Sequence, residues 1–456
     1  MGDFSIEAIA DYILFLSCLF ILFGSIFISF KMRFIQLRFV PTLWRLLRQS
    51  FSGDKEATDN NTISPSRALF TAMSTTLGIG TIVGPVIAIR WGGPGALVGF
   101  LLTAFFGSAA TFAEVGLSIK YRKRSESGEI QGGPMQYLKQ ILSPAAAKWY
   151  AVFGCIVMTA WSAAQANQLA AIMDSPQLGS FRVPTMVSGV CIAVLVFGIL
   201  VGGIKRVSSF SAKLVPVMFT LYLGSSLWIL LSNMDQLGSI MTLIIESAFS
   251  PYAMSSGALV GGVVSALRWG VYKGTQVTEA GVGTQTIPHS FAETNDPVAQ
   301  SMLAMLSTYS AGLISFISGC VALVTNTWQD PELPMGASMV AASFQMYFSY
   351  WGIVIVAIST FLFALGTILG NSFNGSQCFN YLANKKYLKG YYLATVSVIF
   401  FGTIADAKLV WSVIDVALAC LVVPHMFALM LYTHKAPETL LPPVAVPVTL
   451  RGSQTP

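Results

Sequence analysis

Apolar residues run along this chain in blocks, each closed by a short polar or charged stretch. A helix needs about 20 apolar residues to cross a hydrocarbon layer. The blocks that approach this length are Ile9–Phe30, Ala68–Ile89, Ala96–Ile119, Ala147–Met173, Pro184–Val201, Ala212–Leu231, a run near Leu259–Pro288, Pro297–Thr325, Trp351–Ser372, Leu393–Ile404 extended by its flanks, and Leu409–Tyr432. The pattern therefore predicts an all-α polytopic membrane protein with about 11 transmembrane helices. Ser239–Phe249 and Met335–Phe348 are shorter apolar pieces and read as interfacial or re-entrant helices. Ile9–Phe30 is too long for a signal-peptide core and no small-residue cleavage site follows it, so it counts as a membrane helix.

Two of these blocks are poorly suited to an unbroken helix. Gly78, Gly80, Gly84 and Pro85 fall together in the second block, and Gly281, Gly283 and Pro288 in the seventh. The motif Gly-x-Gly-Thr, then Pro four residues on, has the same spacing in both copies. Glycine and proline weaken a helix interior, and in lipid the freed backbone groups need a partner or a wet cavity. Paired interrupted spans in two halves of a chain point to a transporter with inverted repeats and a site at mid-membrane. The expected architecture is a 5+5 inverted repeat with two broken helices plus one peripheral N-terminal helix. Its segments are 1–64 (that helix and a basic loop), 65–235 (first repeat), 236–435 (second repeat with the interfacial helices) and 436–456 (a disordered tail).

Composition agrees: 54% of the 456 residues are hydrophobic and only 10% are charged. Most Lys and Arg residues fall in alternate loops, among them Lys31, Arg33, Arg67, Lys120, Arg122, Lys123, Arg124, Lys205, Arg206, Lys385 and Lys386. The positive-inside rule makes that side cytoplasmic, with the N-terminus outside and the C-terminus inside. The broken blocks then run in opposite directions, as an inverted repeat requires. No basic stretch is interleaved with aromatics in a soluble region, so nucleic acid is not an expected partner. The six cysteines are scattered and read as small buried side chains, without metal spacing or a disulfide framework. Three histidines, all read as lying near helix ends, leave no constellation for an enzyme. A channel would lack paired broken helices.

Several polar residues sit at membrane depth, where they are costly and point to function. Glu279 precedes the second glycine pair and reads as a tie to the unwound backbone more than as an ion ligand. Lys273 stands close enough in sequence to pair with it or to snorkel. Glu114 lies inside Ala96–Ile119. Gln165 and Asn167 form a polar cluster in an apolar block. Thr367 and Asn371, four residues apart, share one helix face. Hydroxyl and carbonyl oxygens suit a hard monovalent cation, and free helix amides suit a carboxylate.

At these residues the chain resembles the alanine/glycine:cation symporter family, from about Ser66 to Ala428. The carrying pieces are Gly78–Gly84, Gly92-Gly93-Pro94-Gly95-Ala96, Gly132-Gly133-Pro134-Met135, Gln165-Ala166-Asn167, Glu279–Thr284 and Leu362–Gly370. The resemblance implies a fold similar to the bacterial leucine transporter. It implies a secondary transporter of the bacterial inner membrane that imports a small neutral amino acid by symport with sodium, with no covalent cofactor. The alternative is a proton-coupled or exchange carrier for a larger neutral amino acid. The residues implied for substrate are Thr76, Gly78, Ile79, Gly80, Thr81, Gln165, Glu279, Gly281, Gly283 and Asn371, and for sodium Thr76, Ala364 and Thr367. The chain departs from the family pattern in carrying Thr81 and Thr278 where Asn is usual, Gly366 for Ser, Asn371 for Trp, and Lys273 where the family commonly has Arg. Val98-Gly99-Phe100-Leu101 replaces a Phe-Trp-Met-Trp run. Loss of the Trp enlarges the expected pocket and makes it more polar.

Overall fold

The structure, a computed structural model, describes residues 6–38, 45–46, 59, 61–126, 128–249, 262–383 and 385–441. Expectations for the first five residues, most of the 39–60 loop, the start of the second broken block and the tail beyond 441 lie outside these residues. The fold is a helical bundle. Its main helices are α1 (Ile6–Lys31), α2 (Pro65–Thr76), α3 (Ile79–Gly92), α4 (Ala96–Tyr121), α5 (Pro134–Ile141), α6 (Pro144–Met173), α7 (Thr185–Leu200) and α8 (Gly203–Leu231). They continue as α9 (Met234–Phe249), α10 (Gly262–Thr278), α11 (Thr286–Ser290), α12 (Pro297–Val324), α13 (Ala337–Phe348), α14 (Tyr350–Leu382), α15 (Leu388–Ile404) and α16 (Ala407–Lys435).

Local chemistry sets many of the starts. Ser64, Ser143 and Asp296 each cap a helix whose next residue is proline, and Asp406 caps α16. A capping oxygen satisfies an orphan amide, and proline at the first helical position loses no bond. Asp296 Oδ1 accepts from the Val298 and Ala299 amides at 2.9 and 3.0 Å.

Among the described residues, seven helices are long and apolar enough to cross a membrane, or eight if α2 and α3 form one span. The sequence pattern predicts about eleven. The difference comes from α6, α7 and the α10–α11 segment. Helix α7 is apolar but only 16 residues long. Helix α10 has only 17 described residues, and α6 carries Gln165 and Gln168, side chains that lower its hydropathy and line an internal cavity.

Both predicted breaks are present. Helices α2 and α3 meet at 41°. After α10, the backbone turns through positive φ at Glu279 (50°), Gly281 (76°) and Gly283 (94°) before α11 begins. Glycine adopts this region freely, but Glu279 is strained there. The bent pair packs against α8, α10, α12 and α14. Helix α1 lies against α4, α10 and α16. The two shorter pieces are the helices α9 and α13.

A two-stranded hairpin, Lys123–Arg124 against Ile130–Gln131, was not legible as such. It joins α4 to α5 and carries two ion pairs: Arg124 with Asp59 at 2.6 Å, and Glu129 with Lys385 just beyond α14. Beside it, Arg122 donates to the carbonyls of Ser290 (2.8 Å), Ala292 (2.7 Å) and Thr294. The six cysteines are free thiols. Cys18, Cys320 and Cys378 are buried as expected, but Cys155 and Cys420 are only half-buried and Cys191 is exposed on α7. His425 is not near a helix end: α16 continues to Lys435.

Candidate substrate and ion site

At the first break, Gly78 is the last extended residue before α3. Gln165 on α6 accepts the Ile79 N–H at 3.0 Å. The Thr81 hydroxyl donates back across the break to Thr76 O at 3.2 Å. From α14, the Thr367 hydroxyl reaches Ser74 O (3.1 Å) and Thr75 O (3.2 Å). A Cβ on Gly78 would stand 2.8 Å from Thr367 Oγ1 and 3.2 Å from both amide atoms of Gln165. Glycine at 78 is thus required by the polar atoms crowded against it. A Cβ on Gly80 would meet only Val277 Cγ2, at 3.8 Å.

The second break is secured by other helices. A buried carbonyl without a donor is costly, so each freed group needs a partner. His425 Nδ1 donates to Gly281 O at 2.7 Å, the Tyr150 hydroxyl to Val282 O at 2.8 Å, Asn374 Nδ2 to Thr284 O at 3.1 Å and Gln285 Nε2 to Thr278 O at 3.0 Å. Because a carbonyl only accepts, His425 carries its proton on Nδ1, and Nε2 accepts from the Tyr137 hydroxyl at 2.5 Å. Glu279 accepts the Thr284 hydroxyl at 2.5 Å, the tie to the unwound segment expected of it. Glu114 is fully buried, with its carboxyl beside the Gly281 and Gly283 amides but outside ordinary hydrogen-bond geometry. Lys273 donates to Gln276 Oε1 at 3.2 Å and lies over the Tyr272 ring.

Between the breaks is a cavity of about 80 Å³. Thr76, Gly78, Gly80, Thr81, Gln165, Glu279, Thr367 and Asn371 line it. Four residues that the resemblance implied for substrate or sodium are not on its wall. Ile79 contributes its amide to Gln165. Ala364 is buried in α14. Gly281 and Gly283 pack against other helices; a Cβ there would strike Met426 Cε and Tyr150 Oη. Asn167 also leaves the cavity: its amide donates to Gly402 O (2.8 Å) and Ala405 O (3.0 Å) at the end of α15. Two residues along a helix from Gln165, it projects from a different face.

The sequence pattern missed Trp161, Gln168, Gln276 and Trp411 on the wall. Gln168 follows Gln165 by three residues and Gln276 follows Lys273 by three, so helical spacing could have found both. Val83, Ile87, Gln168 and Trp411 also border a second, larger cavity of about 900 Å³. This vestibule reaches Asp174 and Thr185, at the end of α6 remote from Lys148. There Asp174 bonds Arg182 at 2.6 Å and Thr185 at 2.8 Å, which holds its carboxyl below the ordinary Asp range.

A small cavity between two broken helices, bordered by a wide vestibule, is the arrangement of a membrane carrier. Residues 4–441 match the sodium:alanine symporter family, and the chain belongs to that family. It is 33% identical to the sodium/alanine symporter AgcS of Methanococcus maripaludis, over 91% of each chain. It is also 33% identical to an uncharacterized transporter of Haemophilus influenzae, over 93% of this chain and 92% of that one. The amino-acid carrier protein AlsT of Bacillus subtilis is 25% identical over 91% of this chain and 87% of its own.

Proposed function

We propose that this protein imports a small neutral amino acid of the alanine or glycine type together with sodium, across a bacterial inner membrane. The carrying observation is the cavity between the two breaks, with Gln165 and Thr367 both seated on the first break. A substrate carboxylate arriving there competes with Gln165 for the Ile79 amide, a helix N-terminal donor suited to an anion. The Thr367 hydroxyl and the carbonyls of Ser74 and Thr75 are hard oxygen donors of the kind sodium takes. The name of the symporter AgcS supports alanine and sodium as the pair.

The chain crosses the membrane about eleven times in this reading, with the N-terminus outside and the C-terminus inside. Residues 65–235 and 236–435 form the two inverted repeats of a leucine-transporter-like fold, and α1 is the added helix. Under that division, α4 corresponds to α12 and α6 to α14. Each of these pairs is closely packed, which supports the assignment. The basic loops are cytoplasmic, so the vestibule at the Asp174 end of α6 opens outward.

The test is uptake of labelled alanine by proteoliposomes, with and without an inward sodium gradient. Sodium-driven accumulation and counterflow against unlabelled alanine are expected. Uptake driven by a pH gradient alone would replace sodium with a proton. Flux without counterflow would overturn the carrier mechanism.

A further inference from the structure

Asn371 is fully buried on the cavity wall, and neither end of its amide has a hydrogen-bond partner. Gln276, on α10, borders the same cavity. Its Oε1 is occupied by Lys273, but its buried Nε2 has no partner. By contrast, Gln165, Thr367, Thr81, Thr76 and Glu279 are each engaged within the protein. Among the described residues of the wall, the fully buried side-chain atoms without a partner all belong to these two amides. Burying such groups without partners is costly, and a ligand that supplies the partners recovers that cost.

Position separates these amides from the groups that meet every amino acid. The α-carboxylate belongs at the first break, beside Ile79 and Gln165. Asn371 lies one turn beyond Thr367 on the same face of α14, toward the second break, where Asn374 bonds Thr284. A substrate anchored at the first break extends its side chain toward Asn371. Phe373, the nearest aromatic in sequence, is buried against Phe291 with ring centroids 5.8 Å apart. Trp161 and Trp411 border the cavity from α6 and α16.

We infer that this cavity selects a neutral amino acid whose side chain both donates and accepts a hydrogen bond, a hydroxyl or a carboxamide, over an apolar side chain of the same shape. Asn371 is the specificity-determining residue and Gln276 its partner. This rests on the neutral-amino-acid reading above. A cavity of about 80 Å³ holds a handful of water-sized groups, which suits serine, threonine or asparagine. Asn371 offers one acceptor and two donor positions, and Gln276 Nε2 adds a donor. A hydroxyl or carboxamide answers both kinds, and an alkyl group answers neither.

The experiment compares isosteric pairs as competitors of labelled alanine in proteoliposomes holding the full-length wild-type chain: serine with 2-aminobutyrate, threonine with valine, and asparagine with leucine. The polar member of at least one pair should compete roughly tenfold or more better, because a site built to bond a polar group rejects its apolar analogue. In Asn371→Leu that ratio should fall to within about twofold, whatever the absolute rate. Gln276→Leu should lower it in the same direction and serves if Asn371→Leu fails to insert. Equal competition within every pair, beside sodium-driven alanine uptake, would overturn the inference and leave the proposed function standing. A ratio unchanged by both substitutions would overturn the assignment to these residues. No uptake of any amino acid would overturn the proposed function and this inference with it.

Discussion

His425, inside α16, donates to the carbonyl of Gly281, 144 residues earlier in the chain, at 2.7 Å. The same ring accepts the Tyr137 hydroxyl, so one buried side chain fixes α16, α5 and the second break together. His425→Leu leaves a buried carbonyl and a buried hydroxyl without partners, each worth about 1–3 kcal/mol. The expected outcome is earlier loss of monodisperse protein on heating in detergent. Unchanged thermal stability would show that water fills the gap.

Gly78 and Gly80 are expected to behave differently. A methyl at 78 collides with Thr367 and Gln165, whereas a methyl at 80 makes only an ordinary contact with Val277. Gly78→Ala should abolish uptake and lower stability. Gly80→Ala should insert and heat like wild type, and Gly80→Val should insert but block uptake. Labelled alanine uptake beside detergent melting separates the two. Wild-type transport by Gly80→Val would remove the first break from the substrate path.

Glu279 spans its own break by accepting the Thr284 hydroxyl. Glu279→Gln keeps an acceptor in the same place, so its stability should stay near wild type. Glu279→Ala removes the bond and should cost about 1–3 kcal/mol. Equal heat stability in Glu279→Gln with an altered sodium dependence of uptake would make the carboxylate a coupling group. Equal sodium dependence in both would leave it a structural tie.

The Arg124–Asp59 pair should respond to salt and not to mild acid. The Asn61 amide, then Arg124, holds the Asp59 carboxyl below its ordinary value. A depressed carboxylate keeps its stabilising interaction above its unfolded-state value and loses it as pH falls through the depressed one. Between about pH 8 and pH 5 the pair stays intact, while molar salt screens it. Limited proteolysis of the 123–131 hairpin should quicken in high salt and in Asp59→Asn, and stay constant across that pH range.

What the sequence made legible followed from residues that act within their own helix. The glycines marked both breaks, and four-residue spacing put Thr367 and Asn371 on one wall. Contacts made by distant chain segments left no local trace. His425 reads as one more histidine near a helix end until Gly281 is brought to it. Gly281 and Gly283 look equivalent to Gly78 and Gly80, but Met426 and Tyr150 occupy the space beside them. Gln165 and Asn167 look like one cluster, and the helix turns them to separate partners. The hairpin has two residues per strand, too few for any periodic signal.

Thr367, Asn371 and Asn374 lie along one face of α14, and they touch in turn the first break, the cavity and the second break. Seven residues of helix span roughly 10 Å. One rigid rod therefore gauges the separation of both interrupted segments. A slide of α14 along its axis, or a roll about it, disturbs all three contacts in the same motion. The first break, the cavity and the second break are in this sense read off a single ruler.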